Sequence, residues 1–198
     1  LRQLWRIDTS EFAIAALTIT AVLLLGILEG VLVAAVFSLA MLIRRLASPE
    51  CVVLGRFPGT DAFAAFMRHP EVREVPGVLI FRANAALLYF NADAVQERIR
   101  TFTKEHPSPL RAVIVDLSFT TDIDLSTARM LGDVAREAQG RGAVLRLADA
   151  HHHVRAQLAH DRDAALFGDL SRSTSIAEWV ALLDSAVLAA PGATASQR

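Results

Sequence analysis

An apolar run over residues 12–43 limits what this chain can become more than any other part of the sequence. Its interruptions are Thr18, Thr20, Gly26, Glu29, Gly30 and Ser38. The run is longer than the stretch of about 18 apolar residues that identifies a membrane span. A secretory signal would be shorter and would end at small residues, whereas Arg44 and Arg45 close this run. We therefore expect residues 1–48 to be membrane-embedded.

The length of the run favours two membrane legs over one. A single helix over residues 12–43 would be about 48 Å long, against a hydrocarbon core of about 30 Å. It would also bury Glu29 and would place Arg2 and Arg6 on the side opposite the arginines at residues 44–45, against the cytoplasmic preference of arginine. A hairpin that turns at residues 26–30 avoids these costs, with legs of about 15 residues that suit a bundle interior. One tilted helix is the alternative.

After Pro49 the sequence alternates between strand and helix patterns, which predicts an α/β domain over residues 49–190. The predicted strands cover residues 51–54, 78–81, 86–90, 111–116 and 143–148, and the predicted helices cover residues 91–105, 125–139, 151–160 and 175–188. Residues 55–77 are expected to form a long loop with a helical turn at residues 62–67. The small, polar tail at residues 191–198 is expected to be disordered.

Three strings in this order carry a family resemblance: LGRFPGT at residues 54–60, VPGVLIFR at residues 75–82 and LYFNA at residues 88–92. Together they resemble the sulfate permease family of anion transporters, where the last membrane helices join the STAS domain. Residues 26–30, which include Gly26, Glu29 and Gly30, resemble the turn between the family's final two helices. The resemblance implies a STAS-like α/β domain with a central mixed β-sheet packed by helices, preceded by a transmembrane hairpin.

The resemblance also implies a function and a location. The chain opens on Leu1, so we expect a fragment of a longer protein, and the resemblance implies that it is the C-terminal portion of a secondary active transporter of sulfate or another inorganic anion. The protein would cross the cell membrane several times, and the STAS domain would be a cytoplasmic regulatory and dimerisation module. Its partners would be the rest of the membrane domain and a second copy, and the anion would bind outside this chain. A membrane-anchored STAS signalling module without transport is the alternative.

The segment DLSFTTDIDLST at residues 116–127 is the richest cluster of polar side chains. It predicts a buried strand, a loop and a helix start capped by Asp124, where free N–H groups could hold an anion near Asp124, Ser126 and Thr127. It resembles the switch loop of anti-sigma-factor antagonists, in which a serine two places after the aspartate is phosphorylated. Ser126 matches that serine, whereas Leu125 and Thr127 depart from the usual serine and glycine. Capping of the helix by these residues is the alternative interpretation.

Other classes of function find no support in the sequence. The net charge is −1 and no basic stripe occurs, which argues against a nucleic-acid partner. Residues 151–153 and His160 supply four histidines, but none of them has the spacing of four residues that lets two share a metal ion on a helix. We expect no metal site, no cofactor and no catalytic residues, and hence no enzyme activity.

Overall fold

The computed structural model describes residues 16, 19, 20, 22, 23 and 26–189, with residues 186–189 as backbone only. Most of the predicted first membrane leg and the tail at residues 191–198 lie outside the described residues. The chain divides into two compact units, and the boundary falls between Ser48 and Pro49.

The first unit contains a long apolar helix, α1 (Ile27–Ala47). Its 21 residues give a length of about 32 Å, which is long enough to cross a membrane and longer than the leg of about 15 residues that the hairpin hypothesis assumed. Glu29 lies in its first turn and Arg44 and Arg45 lie in its last turn, so the charges complement the helix dipole at both ends. In the described part of the chain, α1 is the one helix long and apolar enough to cross a membrane.

The backbone bends sharply just before α1. Gly26 adopts a φ of +98°, a conformation that side chains disfavour, and its N–H donates to the Val22 carbonyl (3.1 Å). Gly30 lies so close to Val22 that a Cβ at Gly30 would be 2.6 Å from the Val22 Cα. In a continuous helix these two residues would be about 12 Å apart. The glycines therefore permit a tight turn with close backbone contact.

The second unit is built on a five-stranded mixed sheet in the order β2-β1-β3-β4-β5. The strands are β1 (Cys51–Arg56), β2 (Phe63–Ala65), β3 (Val78–Ala83), β4 (Ala112–Asp116) and β5 (Val144–Ala148). β1 is antiparallel to both β2 and β3, whereas β3, β4 and β5 are parallel. The helices are α2 (Ala92–Glu105), α3 (Leu125–Gly140), α4 (His152–Ala159) and α5 (Ile176–Ala189), with a 3-10 turn at Ala164–Leu166.

The sheet separates two apolar layers because successive side chains on a strand point to opposite faces. One layer joins alternate residues of β3, β4 and β5 to α2, α3 and α4, through side chains such as Val95, Leu131 and Leu158. The other layer packs the opposite faces of the same strands against α5, through Ile176, Trp179 and Val180. The mixed α/β architecture expected from the resemblance is confirmed.

Two local predictions are wrong. Residues 62–67 do not form a helical turn, because Phe63–Ala65 pairs with β1 as a short edge strand and so covers that edge of the sheet. Residues 86–90 do not form a strand. The Asn91 side chain organises them instead, since its Oδ1 accepts from the Leu88 N–H (2.9 Å) and its Nδ2 donates to the Ala86 carbonyl (3.0 Å). Such local bonds compete with a strand ladder.

Candidate functional site at the carboxyl edge of the sheet

The carboxyl ends of β3, β4 and β5 meet at one edge of the sheet, where the polar segment at residues 116–127 also lies. α2, α3 and α4 each follow one of these strands, so their N-terminal ends point toward the same edge. Open α/β sheets commonly place binding sites there. The candidate site therefore consists of the side chains at this edge.

A buried ion pair lies at the centre of the edge. Arg82 and Asp116 are register partners on the parallel strands β3 and β4, so their side chains extend from the same face. Arg82 Nε donates to Asp116 Oδ2 at 2.5 Å, and the Asp116 side chain is fully buried. Asp116 Oδ1 accepts from the Ser118 N–H (2.8 Å). The carboxylate therefore neutralises the arginine and fixes the start of the loop that follows β4.

A second carboxyl group follows β5. Asp149 has a φ of +51°, in the left-handed region that Asp and Asn tolerate better than most residues, and its N–H donates to the Thr174 carbonyl (3.0 Å). Burial raises the pKa of the Asp149 carboxyl, the neighbouring Asp116 and Glu178 raise it further, and Arg82 lowers it. The Arg82 guanidinium thus bonds the Asp116 carboxylate and also acts electrostatically on the Asp149 carboxyl.

Asp124 caps α3, as the sequence predicts. Its Oδ1 accepts from the Thr127 N–H (2.8 Å), which is a standard N-cap bond. Its Oδ2 accepts from the Tyr89 N–H (2.6 Å), so the same carboxylate joins the loop after β3 to the start of α3. The N–H groups of Thr127 and Tyr89 are therefore already occupied by a carboxylate of the chain itself.

The structure separates the other two candidate residues of the α3 N-terminus. Ser126 is exposed in the first turn of α3. Thr127 is fully buried, and its hydroxyl oxygen has no hydrogen-bond partner among the described residues. Only Ser126 could meet an enzyme or an anion from solution without opening the helix.

The histidines do not converge. His151 lies near the polar segment at residues 116–127, with its Nε2 3.2 Å from the Ser118 carbonyl oxygen, whereas the His160 ring lies against the Ala156 carbonyl at the other end of α4. Across residues 26–189 and the few described before them, no group of three or more His, Cys, Asp or Glu side chains is arranged to hold a metal ion.

Arg82 and Asp149 also belong to this edge, and neither was predicted from the sequence. The sequence carried a partial signal, because Arg82 directly follows the apolar run at residues 78–81 and Asp149 directly follows β5, in which Arg146 interrupts the apolar residues. The proximity of either residue to Asp116 depends on the register of the strands, which cannot be read from the sequence alone.

Comparison with known proteins identifies both the domain and its relatives. Residues 69–160 match the family model of the STAS domain. The chain is 33% identical over 174 residues to a probable sulfate transporter 4.2 from Arabidopsis thaliana. The alignment covers 83% of this chain and 26% of the relative. It is 31% identical over 157 residues to a probable sulfate transporter from Mycobacterium tuberculosis. That alignment covers 79% of this chain and 28% of the relative. The chain thus spans about a quarter of the length of these relatives.

Solved structures show the same fold. The murine solute carrier 26 family member A9 anion transporter, in its inward-facing state, superposes with a TM-score of 0.69 at 19% identity, over 81% of this chain and 26% of that one. A structure of SLC26A9 superposes with a TM-score of 0.74 at 17% identity, over 95% of this chain and 32% of that one. Together with the STAS match and the sulfate-transporter relatives, these findings confirm the resemblance seen in the sequence. The chain belongs to the sulfate permease family of anion transporters and carries that family's STAS domain.

Proposed function

We propose that this chain is the C-terminal portion of a secondary active transporter of sulfate or another inorganic anion, with the STAS domain as its cytosolic regulatory and dimerisation module. One observation carries the proposal: a helix of membrane-spanning length is joined to the first strand of the STAS domain by only three residues, Ser48, Pro49 and Glu50. Relatives named as sulfate transporters match across this junction.

The short connection gives regulation a physical basis. Three residues span at most about 10 Å, and Pro49 stiffens them further. A displacement of the cytosolic end of α1 would therefore pull on β1, because the linker has little slack to absorb it. β1 lies inside the sheet between β2 and β3, so it would pass such a displacement to the folded domain as a whole.

Removal of the STAS domain tests this division of labour. A full-length transporter truncated after Ser48 is expected to lose most of its dimer and much of its abundance in the membrane. The remaining protein should keep the same order of preference among anions, because we place the anion site on other membrane helices. Uptake of sulfate and competing anions into proteoliposomes, normalised to folded protein, measures this.

Two results would contradict the proposal. A changed anion preference in the truncated protein would place part of the substrate site in the missing domain. Absence of anion uptake by the full-length protein, with folding and reconstitution verified, would favour the membrane-anchored signalling module instead.

Glu29 is expected to lie at the non-cytoplasmic face, in the first turn of α1, directly after the bend at Gly26 that would separate two membrane legs. A charge at the bilayer centre would cost about 2.5–3.5 kcal/mol, and the bend at Gly26 supplies the turn that removes this cost. With Cys51 replaced by alanine, a cysteine at position 29 should react with a membrane-impermeant maleimide added outside intact cells. A cysteine at position 48 is the matched control and should react only after the membrane is opened; labelling of position 29 only from inside would exclude the hairpin.

Ser126 is expected to be a control point through phosphorylation. A phosphate there would meet the positive end of α3 but also the carboxylates of Asp122 and Asp124, so it would disturb the loop more than the helix. We expect Ser126→Glu to change the transport rate and Ser126→Ala to leave it unchanged. Because Ser126 is exposed, neither substitution should alter the free energy of unfolding by more than about 0.5 kcal/mol. If both variants transport the anion at the wild-type rate, phosphorylation of Ser126 does not control transport.

A further inference from the structure

The linker that precedes the STAS domain is bonded to the loop that follows β3. Glu50, the last residue of the linker, comes directly before β1, and Asn84 comes directly after β3. The Asn84 N–H donates to the Glu50 carbonyl oxygen (2.8 Å), and Asn84 Nδ2 donates to Glu50 Oε2 (2.9 Å). The backbone and the side chain of one residue thus both hold the linker, so a displacement of Glu50 acts directly on Asn84.

Hydrogen bonds also stiffen the loop itself. We call residues 84–91 the β3 loop. Asn91 is buried, its Oδ1 accepts from the Leu88 N–H (2.9 Å), and its Nδ2 donates to the Ala86 carbonyl oxygen (3.0 Å). The Asn91 N–H also donates to the Leu88 carbonyl oxygen (3.0 Å). These three bonds close the loop on itself, so it should move as one piece rather than absorb a displacement of Asn84.

Two further bonds join the β3 loop to the segment that leads into α3. The Tyr89 N–H donates to Asp124 Oδ2 (2.6 Å), and Asp124 Oδ1 accepts from the Thr127 N–H in the first turn of α3 (2.8 Å). The Leu87 N–H donates to the hydroxyl oxygen of Thr120 (3.2 Å), which is buried. The Asp124 carboxylate therefore bonds the β3 loop with one oxygen and caps α3 with the other.

This shared carboxylate gives the start of α3 two states. While the β3 loop is in place, donors on both sides fix the Asp124 carboxylate, and the cap is closed. If the loop moves away, the Tyr89 N–H no longer holds the carboxylate, which can then turn from the Thr127 N–H to water. A helix that loses its cap leaves the N–H groups of its first turn without a partner, so that turn frays. The turn contains Ser126.

The sheet alone would not produce such a change. β3 and β4 are joined along five register pairs, and the ion pair of Arg82 with Asp116 closes their carboxyl ends, so the two strands should move together. A common movement of both strands carries the start of α3 with them and leaves the Asp124 cap closed. The bonds of the β3 loop, in contrast, can open the cap without any change in the strands.

We propose that the β3 loop couples the linker to the cap of α3, so that a displacement of Glu50 opens the Asp124 cap and a change at the first turn of α3 acts back on the linker. The coupling acts in both directions because a coupling free energy between two sites is reciprocal. Its purpose, which is to connect movement of α1 with Ser126, rests on the proposed function, whereas the coupling itself can be measured without transport.

Hydrogen exchange of the full chain in phosphatidylcholine nanodiscs measures the coupling. Asn84→Ala removes the side-chain bond to Glu50 and leaves the backbone bond in place. We expect the amides of Tyr89 and Thr127 to exchange at least about twofold faster in this variant, because the loss of one hydrogen bond changes a local opening equilibrium by about two- to tenfold. Mass spectrometry of the peptides that contain these amides gives the rates.

Two control variants separate this bond from the other contacts of Glu50. Glu50→Gln keeps a side-chain carbonyl oxygen that can accept from Asn84 Nδ2, so the exchange rate at Thr127 should stay near that of the wild type. Arg68→Met removes the surface pair between Arg68 and Glu50 (3.5 Å) and should also leave the exchange rate at Thr127 unchanged. Equal thermal unfolding of all variants shows that the fold is intact.

Asp124→Asn tests the reverse direction. Asparagine is an N-cap of similar strength, but it offers one carbonyl oxygen where the carboxylate offers two acceptors. When that oxygen caps α3, the Tyr89 N–H loses its partner. We therefore expect the Asn84 amide, which bonds the Glu50 carbonyl oxygen, to exchange at least about twofold faster. The effects of Asn84→Ala and Asp124→Asn should not be additive, because both break the same path.

Three results would overturn the coupling. Unchanged exchange at Thr127 in Asn84→Ala would show that the β3 loop absorbs the displacement. Unchanged exchange of the Asn84 amide in Asp124→Asn would contradict reciprocity. An equal rise in residues 144–148 of β5 would show that the whole domain loosens. Both expected effects in a protein that carries no anion would support the coupling and contradict the proposed function, so the two failures are distinguishable.

Discussion

Replacing Arg82 by methionine is expected to lower the free energy of unfolding of the STAS domain by about 3 kcal/mol. The substitution leaves the Asp116 carboxylate buried without its counter-ion, and breaking a buried pair in this way costs about 3–5 kcal/mol. We expect the lower end of that range, because the Arg82 side chain is 28% exposed and water can reach part of the site. Urea unfolding followed by Trp179 fluorescence, with Trp5 replaced by phenylalanine, measures the change.

Two controls separate the buried pair from arginine loss in general. Arg68→Met removes a surface pair with Glu50 at 3.5 Å, in which both side chains are mostly exposed, and should cost less than about 1 kcal/mol. Arg82→Met combined with Asp116→Leu removes both charges and should recover most of the lost stability. If Arg82→Met is no more damaging than Arg68→Met, the pair does not stabilise the sheet edge.

The elements that the sequence predicted well are those with a strong local signal. Residues 125–139 have apolar side chains at helical spacing and an Asp124 cap, and they form α3 to within one residue. Residues 112–115 form an unbroken apolar run, and together with Asp116 they form the interior strand β4, which is buried along its whole length. In both segments the pattern of buried residues and the local propensity favour the same secondary structure. The tertiary contacts are consistent with that structure, so the prediction from sequence is correct.

The failures occur where a distant partner decides the structure. Phe63–Ala65 becomes a strand because β1 offers it an unpaired edge, and nothing in its own sequence shows that edge. Residues 86–90 have a strand-like composition, but the Asn91 side chain and the Thr120 hydroxyl bind their backbone in a loop. β-propensity reflects how well a side chain packs on a pleated, half-buried sheet surface. It therefore does not predict the structure of a segment that has no neighbouring strand to pair with.

The candidate site divides in the same way. Asp124 and Ser126 were found because a cap and the first helical turn are local features of sequence. The Arg82–Asp116 ion pair and the bond from the Tyr89 N–H to Asp124 join residues that are 34 and 35 positions apart. The register of β3 and β4 and the tertiary bonds of the loops bring these residues together, and neither is a local feature of the sequence.

Phe167 provides the second large effect. It is fully buried in the connection between α4 and α5, directly after the 3-10 turn at Ala164–Leu166, and it belongs to the apolar layer of α2, α3 and α4. Phe167→Ala is expected to lower the free energy of unfolding by about 3 kcal/mol, near the lower end of the range for Phe→Ala in a core. An irregular connection can partly collapse into the space left by the ring, which limits the cost.

Leu182→Ala is the matched control, because Leu182 is 49% exposed on α5 and should lose less than about 1 kcal/mol. Trp179 fluorescence in urea again measures both variants. Hydrogen exchange then shows where stability is lost. If Phe167 anchors the connection to the common core, protection should fall in α3 and α4 as well as in residues 160–175, since a cavity in a shared core weakens every element around it. A loss of protection confined to residues 160–175, with an unchanged unfolding midpoint, would show that the connection opens independently of the sheet.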